Sequence, residues 1–457
     1  MNARRDFLKK LSMAAGAGVG LGASLYSMSS FSAGLNGYKA LIVIHLNGGN
    51  DANDVIVPMD AAYADYEKSR PSIAVKKTAL TQLSGNHLGH SMGLNSAMSP
   101  LTSVFNSGRL AFLVNAGALV KPTTAADVLS GKATLPPFLY SHPEQSQYVQ
   151  GWMGDEDPSG WGGRAIEALG GNASLKAPLI ALSSSNGTLV LGQRSRIVNA
   201  NTGNSRYLGS ADLTDSNNRW TQILESLTRL QSATNVEAEY ARTFRGAFLD
   251  TRELAVASKS ATEPAATFKD TEIGRRMRFF AQTLPFYKAS GSTRQVYFTE
   301  WGSFDTHANQ RNSNVNSGNA DQDTQLADLA DALAAFDKAI SAAGMGNEVA
   351  VFVTSEFNRT LDPAAGLGSD HAWGSHWMVM GGQVNGGKLY GDKFPSLVLG
   401  GVDDAHNGKR GYWVPQMSSD QVAADLLMWL GLPQDKLTEV MPNLKNFVKK
   451  NVGFMNG

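Results

Sequence analysis

Carboxylates and imidazoles, the side chains that hold divalent cations and move protons, recur in this sequence in short runs that each follow an apolar stretch. Asp51 closes the turn Asn47-Gly48-Gly49-Asn50-Asp51, whose glycines let a backbone approach a ligand closely. The run Glu300 to His307 carries Asp305 and His307 one residue apart, a spacing that puts both side chains on one face of an extended segment. Ser355-Glu356-Phe357-Asn358-Arg359-Thr360 sets a carboxylate near a guanidinium, and Asp370-His371 and His376 follow a short loop later. The chain has only eight histidines, and three of them (His307, His371 and His376) fall in these runs. That joint placement points to one site for zinc, manganese, calcium or magnesium. Each residue also has an ordinary structural reading: Asp51 as a helix cap, Glu356 with Arg359 as an ion pair, a histidine as a core or surface group.

A nucleophile is offered by Tyr140-Ser141-His142-Pro143-Glu144. Serine, then proline in the first turn, then glutamate three residues after the serine, is the pattern of a helix start, so Ser141 reads as a cap. A hydroxyl at a helix N-terminus also meets an incoming anion where the helix dipole favours it, and a nearby metal would make it attack phosphorus or sulfur.

Positioning these runs calls for strands that deliver loops to one edge. Residues 39–46 form a short, β-branched apolar run of the kind buried on both faces of a sheet, and 110–115, 295–299 and 349–354 are similar. Residues 178–182 and 188–191 are weaker strand expectations. Leu326, Leu329, Leu333, Phe336 and Ile340 lie on one helical face. Residues 219–259 and 273–287 read as further helices, and a helix capped by Asp420 or Ser419 runs to Leu430, stopped by Gly431 and Pro433. Strands alternating with helices predict an α/β fold, a doubly wound, mostly parallel sheet with helices on both faces. In such sheets ligands bind beyond the carboxyl ends of the strands, where these runs fall. Residues 34–457 are expected to form one domain, with 183–290 as a helical insertion or cap and 311–322 as a polar surface loop.

The N-terminus, Ala3-Arg4-Arg5-Asp6-Phe7-Leu8-Lys9, is followed by a weakly apolar stretch diluted by Gly16, Gly18, Gly20 and Gly22 and then by Ser30-Phe31-Ser32-Ala33. This is the order of a twin-arginine signal peptide over residues 1–33, so the translocase is an expected partner and the location periplasmic or secreted. The apolar stretch is too short and too glycine-rich for a permanent membrane span. The whole chain has 40 basic and 40 acidic residues; without residues 1–32 it keeps 36 and 39, a net −3 that gives no reason to expect nucleic acid. With no cysteines the exported chain is held by its core, and with 47 glycines and 18% charged residues it is neither a helical bundle nor a coiled coil.

The runs 41–51, with Val57-Pro58, then Arg70-Pro71-Ser72-Ile73-Ala74, Gly108-Arg109-Leu110-Ala111-Phe112 and Ser141-His142 resemble the opening motifs of the exported "domain of unknown function 1501" proteins. Phe304 to Gln310, Ser355 to Thr360, Asp370-His371-Ala372-Trp373-Gly374 and Pro442-Asn443-Leu444 are similar to the later ones, in the same order. That family in turn resembles the alkaline phosphatase and sulfatase superfamily, which implies an alkaline phosphatase-like fold and a two-metal site. On that resemblance Asp51, Asp305, His307, Glu356, Asp370, His371 and His376 are the metal ligands and Ser141 is the nucleophile. The superfamily's longer Asp-to-His spacing is here a single residue, and its late Asp-His is replaced by Ser355-Glu356-Phe357.

The first expectation is an exported metal-dependent hydrolase of phosphate or sulfate esters. Metal would activate Ser141, with Arg359 or His142 neutralising the developing charge. The alternative is a non-catalytic cell-envelope binding or assembly protein on the same fold, holding a glycan, peptide or protein partner.

Overall fold

A computed structural model of the protein describes residues 35–182, 187–202, 207–229, 234–311 and 321–456. The signal peptide expected at 1–33 lies outside the described residues, as does most of the loop expected at 311–322. The central sheet is built from β1 (Lys39–Leu46), β2 (Leu110–Gly117), β3 (Leu179–Ala181), β4 (Val198–Asn199), β5 (Arg294–Trp301), β6 (Val349–Ser355), β7 (Ser375–Gly381), β8 (Lys388–Tyr390) and β9 (Met417–Ser418). Their order is β8-β2-β7-β6-β1-β5-β3-β4, with β9 beside β2. Only β7 runs against the rest: it pairs antiparallel with β6 and β2, while the other pairings are parallel.

Alternation along β1 shows why its residues from Ala40 to Ile44 are all apolar. Ala40, Ile42, Ile44 and Leu46 face one core, Leu41 and Val43 the other, and all six are buried. The first core is closed by Phe280 and Leu284 of one helix (Glu272–Ala289) and by Leu326, Leu329, Leu333, Phe336 and Ile340 of the next (Gln322–Ala342). The second is closed by Trp161 and Ile166 of Trp161–Ala168 and by Leu426, Leu427 and Leu430 of Ser419–Leu430. The sheet is thus wound on both faces, as its strand pattern predicts.

Several local expectations move. Thr188–Val190 is a 3-10 turn rather than a strand, entered through Gly187 in the left-handed region, and the slot beside β3 is taken by Val198–Asn199. The helix ending at Leu430 is capped by Ser418: its hydroxyl accepts from the Gln421 N–H, and the Gln421 side chain accepts from the Ser418 N–H in return. The helical stretch 219–259 is two helices, Arg219–Leu227 and Asn235–Ser260. Within 183–290, β4 pairs with the sheet and Glu272–Ala289 packs against it, so both ends of this segment are woven into the main fold. His376 lies inside β7, not in a loop.

The strand directions decide where the chemistry collects. β1, β5 and β6 are parallel and end together at Leu46, Trp301 and Ser355. Because β7 is antiparallel, its start lies at that same edge. The segments 47–51, 302–310 and 356–374 therefore meet over one end of the sheet, as in other open α/β sheets.

Candidate metal centre

At this edge, four polar atoms from three distant parts of the chain converge. His371 Nε2 lies 3.1 Å from His142 Nε2, 3.0 Å from His307 Nε2 and 3.4 Å from Asp305 Oδ1. Asp305 Oδ1 is also 3.4 Å from His142 Nε2 and 3.0 Å from His307 Nε2.

The opposite ring nitrogens show what these atoms are. His371 Nδ1 is 2.8 Å from the Tyr140 carbonyl oxygen, His142 Nδ1 is 2.7 Å from Glu356 Oε1, and His307 Nδ1 is 2.8 Å from Asp370 Oδ1. Each of those partners can only accept, so each Nδ1 carries a hydrogen, and each ring in its neutral form presents a lone pair at Nε2. Three lone pairs and a carboxylate oxygen facing one another repel unless a cation lies among them. The donor set fits a borderline transition ion such as zinc better than calcium or magnesium, which prefer oxygen alone. A tetrahedral ion with bonds near 2.0–2.1 Å would space its ligand atoms about 3.3 Å apart, close to the separations among His142, His371 and Asp305, while His307 lies beside the His371–Asp305 edge of that triad. Carboxylates behind two of the imidazoles are the usual second layer of such sites.

Electrostatics follow the same pattern. Burial would raise the Glu356 carboxyl, but hydrogen bonds from His142 and His45 hold it well below the usual carboxylate range. Its two oxygens are further engaged by the Gly48 N–H at 2.8 Å and the Ser355 hydroxyl at 2.9 Å. The hydrogen bond to Glu356 raises His142 against the opposing effect of burial, while burial lowers His371. Asp305 is pushed up by burial but ends below its ordinary value because Arg359 bonds to it. Asp370 likewise ends low, through Arg410 and His307.

The loops are locked together by close contacts. A Cβ on Gly48, which has φ of +104°, would sit 2.3 Å from the Asp305 backbone nitrogen. The glycine turn thus brings two chain segments together rather than a ligand to the backbone. Arg359 is fully buried and donates to the carbonyls of Gly48, Gly49, Phe304 and Ser369 and to Asp305 Oδ1. Those bonds commit its guanidinium to holding the loops, which replaces the charge-neutralising role expected for it.

The structure therefore brings together Asp305, His307 and His371 and adds His142, whose ring nitrogen belongs to the cluster instead of acting on developing charge. Glu356 and Asp370 stand behind the imidazoles rather than in the cluster. Asp51 is elsewhere: its buried carboxylate is bonded to Arg70, to Gln310 at 2.5 Å and to the Asn53 side chain at 2.7 Å. Its Oδ1 also accepts from the Asn53 N–H at the start of a short 3-10 helix, so the cap reading describes it. Burial works against the Arg70 charge, but Asp51 and Asp54 hold it protonated. Ser141 begins the helix His142–Val149, and its hydroxyl donates to Glu144. The signal for His142 was present in Ser141-His142, but a ligand role needs a partner more than 150 residues away.

His376 is also apart, stacked near Phe394 and Trp413, with Nδ1 accepting from the Asn115 N–H at 3.1 Å and Nε2 buried without a partner. Burial pushes its imidazole down to about 3. An unfolded histidine titrates near 6.5, so between those values the unfolded chain binds a proton that the folded one refuses. This contribution is full above about pH 6.5 and is lost as the pH falls towards about 3, by up to about 1.4 kcal/mol per unit. In urea unfolding with excess chelator, His376→Asn should lose less stability than the wild type between pH 7 and pH 5. Equal slopes would count against a buried neutral His376.

Beside the cluster lies an open cleft of about 690 Å³ bordered by His142, Asp305, Glu356, Gly48, Ser146 and Glu300. Asp305 and His307 keep 45% and 47% of their side-chain surface, so the cluster is accessible from outside.

The chain belongs to the family described as protein of unknown function (DUF1501), whose family model it matches over residues 38–404. A search of curated proteins returned no match. Among solved structures the chain is similar to the PsFucS1 sulfatase from Pseudoalteromonas sp., with a TM-score of 0.30 and 10% identity over 89% of this chain and 75% of that one. It is similar to the lipoteichoic acid synthase LtaP from Listeria monocytogenes, with a TM-score of 0.32 and 9% identity over 94% and 80%. The phosphonate monoester hydrolase SpPMH from Silicibacter pomeroyi gives a TM-score of 0.33 and 8% identity over 87% and 74%. At these scores the chemistry of those proteins does not transfer. Among the described residues, no helix is long and apolar enough to cross a membrane.

Proposed function

We propose that this protein is an exported metal-dependent hydrolase of phosphate or sulfate esters, with one divalent transition ion held by His142, His307, His371 and Asp305. The observation that carries this reading is the meeting of three imidazole lone pairs and one carboxylate oxygen at the mouth of a cleft. When bound, the ion supplies Lewis acidity to an ester oxygen and lowers the pKa of a hydroxyl or water near it. Three neutral imidazoles and one carboxylate leave a divalent ion one net positive charge, which draws an anionic ester. The N-terminus of the helix His142–Val149 adds its dipole at the same place.

Ser141 is the nucleophile of this proposal. Tyr140 and His142, its chain neighbours, both contact His371. Its hydroxyl already donates to Glu144, so a proton acceptor is in place. Glu356 and Asp370 fix the ring orientations, and Arg359 fixes Asp305. The twin-arginine signal read at residues 1–33 underlies the export part of the proposal.

One observation favours a second reading. His307 stands 3.0 Å from both His371 and Asp305, where a small shift would add it to the triad as a fourth protein ligand. Four protein ligands are typical of a structural ion, whereas catalytic sites usually keep a position open. A non-catalytic envelope protein organised by this ion is the alternative. Elemental mass spectrometry of the purified protein, with hydrolysis of 4-nitrophenyl phosphate and sulfate before and after chelation and metal return, separates the two. Turnover that leaves and returns with the metal supports the hydrolase. Stoichiometric metal without turnover favours the structural ion. Failure to take up zinc or manganese would sink both.

A further inference from the structure

The cleft beside the cluster contains a hydroxyl whose hydrogen-bonding state is set from behind. His45 is completely buried in β1, with Nε2 3.2 Å from Ser146 Oγ and 3.4 Å from Glu356 Oε2. Glu356 accepts from the Gly48 N–H and the Ser355 hydroxyl, so it faces His45 as a carboxylate acceptor. The His45 hydrogen therefore sits on Nε2, and Ser146 Oγ receives part of it. A hydroxyl that accepts in this way still has its own hydrogen to give. Many helical serines spend that hydrogen on a carbonyl of the preceding turn, as Ser226 does with Ile223 and Ser258 with Leu254. Ser146 makes no such bond among the described residues, and it borders the cleft one helical turn beyond His142.

The rest of the lining carries several polar groups. Among the described residues it includes the carboxylates Glu300, Asp305 and Glu356 and the carboxamides Asn47 and Gln147, with neither lysine nor arginine. One anionic group can be balanced by a cation in the cluster, whereas further along the cleft Ser146, Asn47 and Gln147 offer neutral hydrogen-bonding dipoles, which suit an uncharged polar group better than a second anion.

Resting on the hydrolase reading, we infer that Ser146 positions the substrate by donating a hydrogen bond to its leaving portion, and that this portion is an uncharged, oxygen-rich chain. His45 acts through Ser146 by orienting its hydroxyl. Ser146 takes no part in bond making.

The test uses two 4-nitrophenyl phosphates carrying, at one ring position, either a hydroxyethoxy or a carboxymethoxy group. The wild type should favour the uncharged ester at least about tenfold in kcat/KM. Ser146→Ala should raise KM for that ester about fivefold, the worth of one lost hydrogen bond, with kcat changed less and metal content unchanged. Ser146→Thr, which keeps the hydroxyl, should restore most of the difference. A KM unmoved by Ser146→Ala, or equal or better turnover of the carboxymethoxy ester, would overturn the inference. Calorimetric titration with the same two aryl groups lacking the phosphate reads the cleft without turnover. Tighter binding of the uncharged compound, weakened in Ser146→Ala, supports it; equal binding or none at millimolar concentrations overturns it. Should no ester be turned over while this binding difference holds, the hydrolase reading has failed and the cleft assignment has not.

Discussion

Replacing His371 by alanine is expected to abolish stoichiometric metal binding. Its Nε2 is within 3.0–3.4 Å of the other three atoms of the cluster, so it stands at the centre of the donor set. Without it, two imidazoles and a carboxylate shared with Arg359 remain, and the vacated space fills with water. Loss of a partner behind a ligand typically costs 10–100-fold in affinity, and loss of the ligand itself should cost more. In the wild type, saturating zinc at about 100 times its Kd should add about 2.7 kcal/mol of stability, seen as a rise in Tm. His371→Ala should show neither the metal nor the rise. Asp370→Asn, which alters the group behind His307 and its pairing with Arg410, should keep the metal with reduced affinity. Full metal occupancy in His371→Ala would remove the cluster from consideration.

The second large effect is expected at Asp51, and it is of the opposite kind. Asp51→Ala removes a fully buried carboxylate that pairs with the fully buried Arg70 and accepts from Gln310 and Asn53. Arg70 keeps Asp54 at 3.1 Å, but one carboxylate then balances a guanidinium built for two. Breaking a buried pair from one side typically costs 3–5 kcal/mol, because the remaining charge stays out of water. Denaturant unfolding should show a loss of that order, while metal per folded molecule is unchanged. Lost metal with intact stability would return Asp51 to the ligand set. The two variants are a matched pair, one expected to lose metal and the other stability.

Much of the scaffold was legible because its cause is local. Strands β1, β2, β5 and β6 are short apolar runs because both faces of each are buried, and that requirement is written residue by residue. The helix Gln322–Ala342 shows its buried face as a spacing of three and four. Strand β7 was not legible: Ser375-His376-Trp377 starts it with polar and bulky residues, and its antiparallel course is imposed by β6 and β2 on either side. Thr188–Leu191 shows the reverse failure, since an apolar run bounded by Gly187 became a turn once the edge of β3 was taken by residues further on.

The same division runs through the site. By itself the sequence determined which segments end strands, that carboxylates and imidazoles follow them, and that Ser141 begins a helix. Those features depend on side-chain size, polarity and neighbours a few residues away. Whether a carboxylate is a ligand or half of an ion pair depends on what stands opposite it, and that partner comes from anywhere in the chain. Asp51 meets Arg70 and is neutralised, Asp305 meets three imidazoles as well as Arg359, and Glu356 meets the Nδ1 of His142 and stays behind it. Only the tertiary structure decided these pairings, because a ligand site is defined by distances of about 3 Å between atoms whose residues are up to hundreds of positions apart, and sequence spacing carries no record of them.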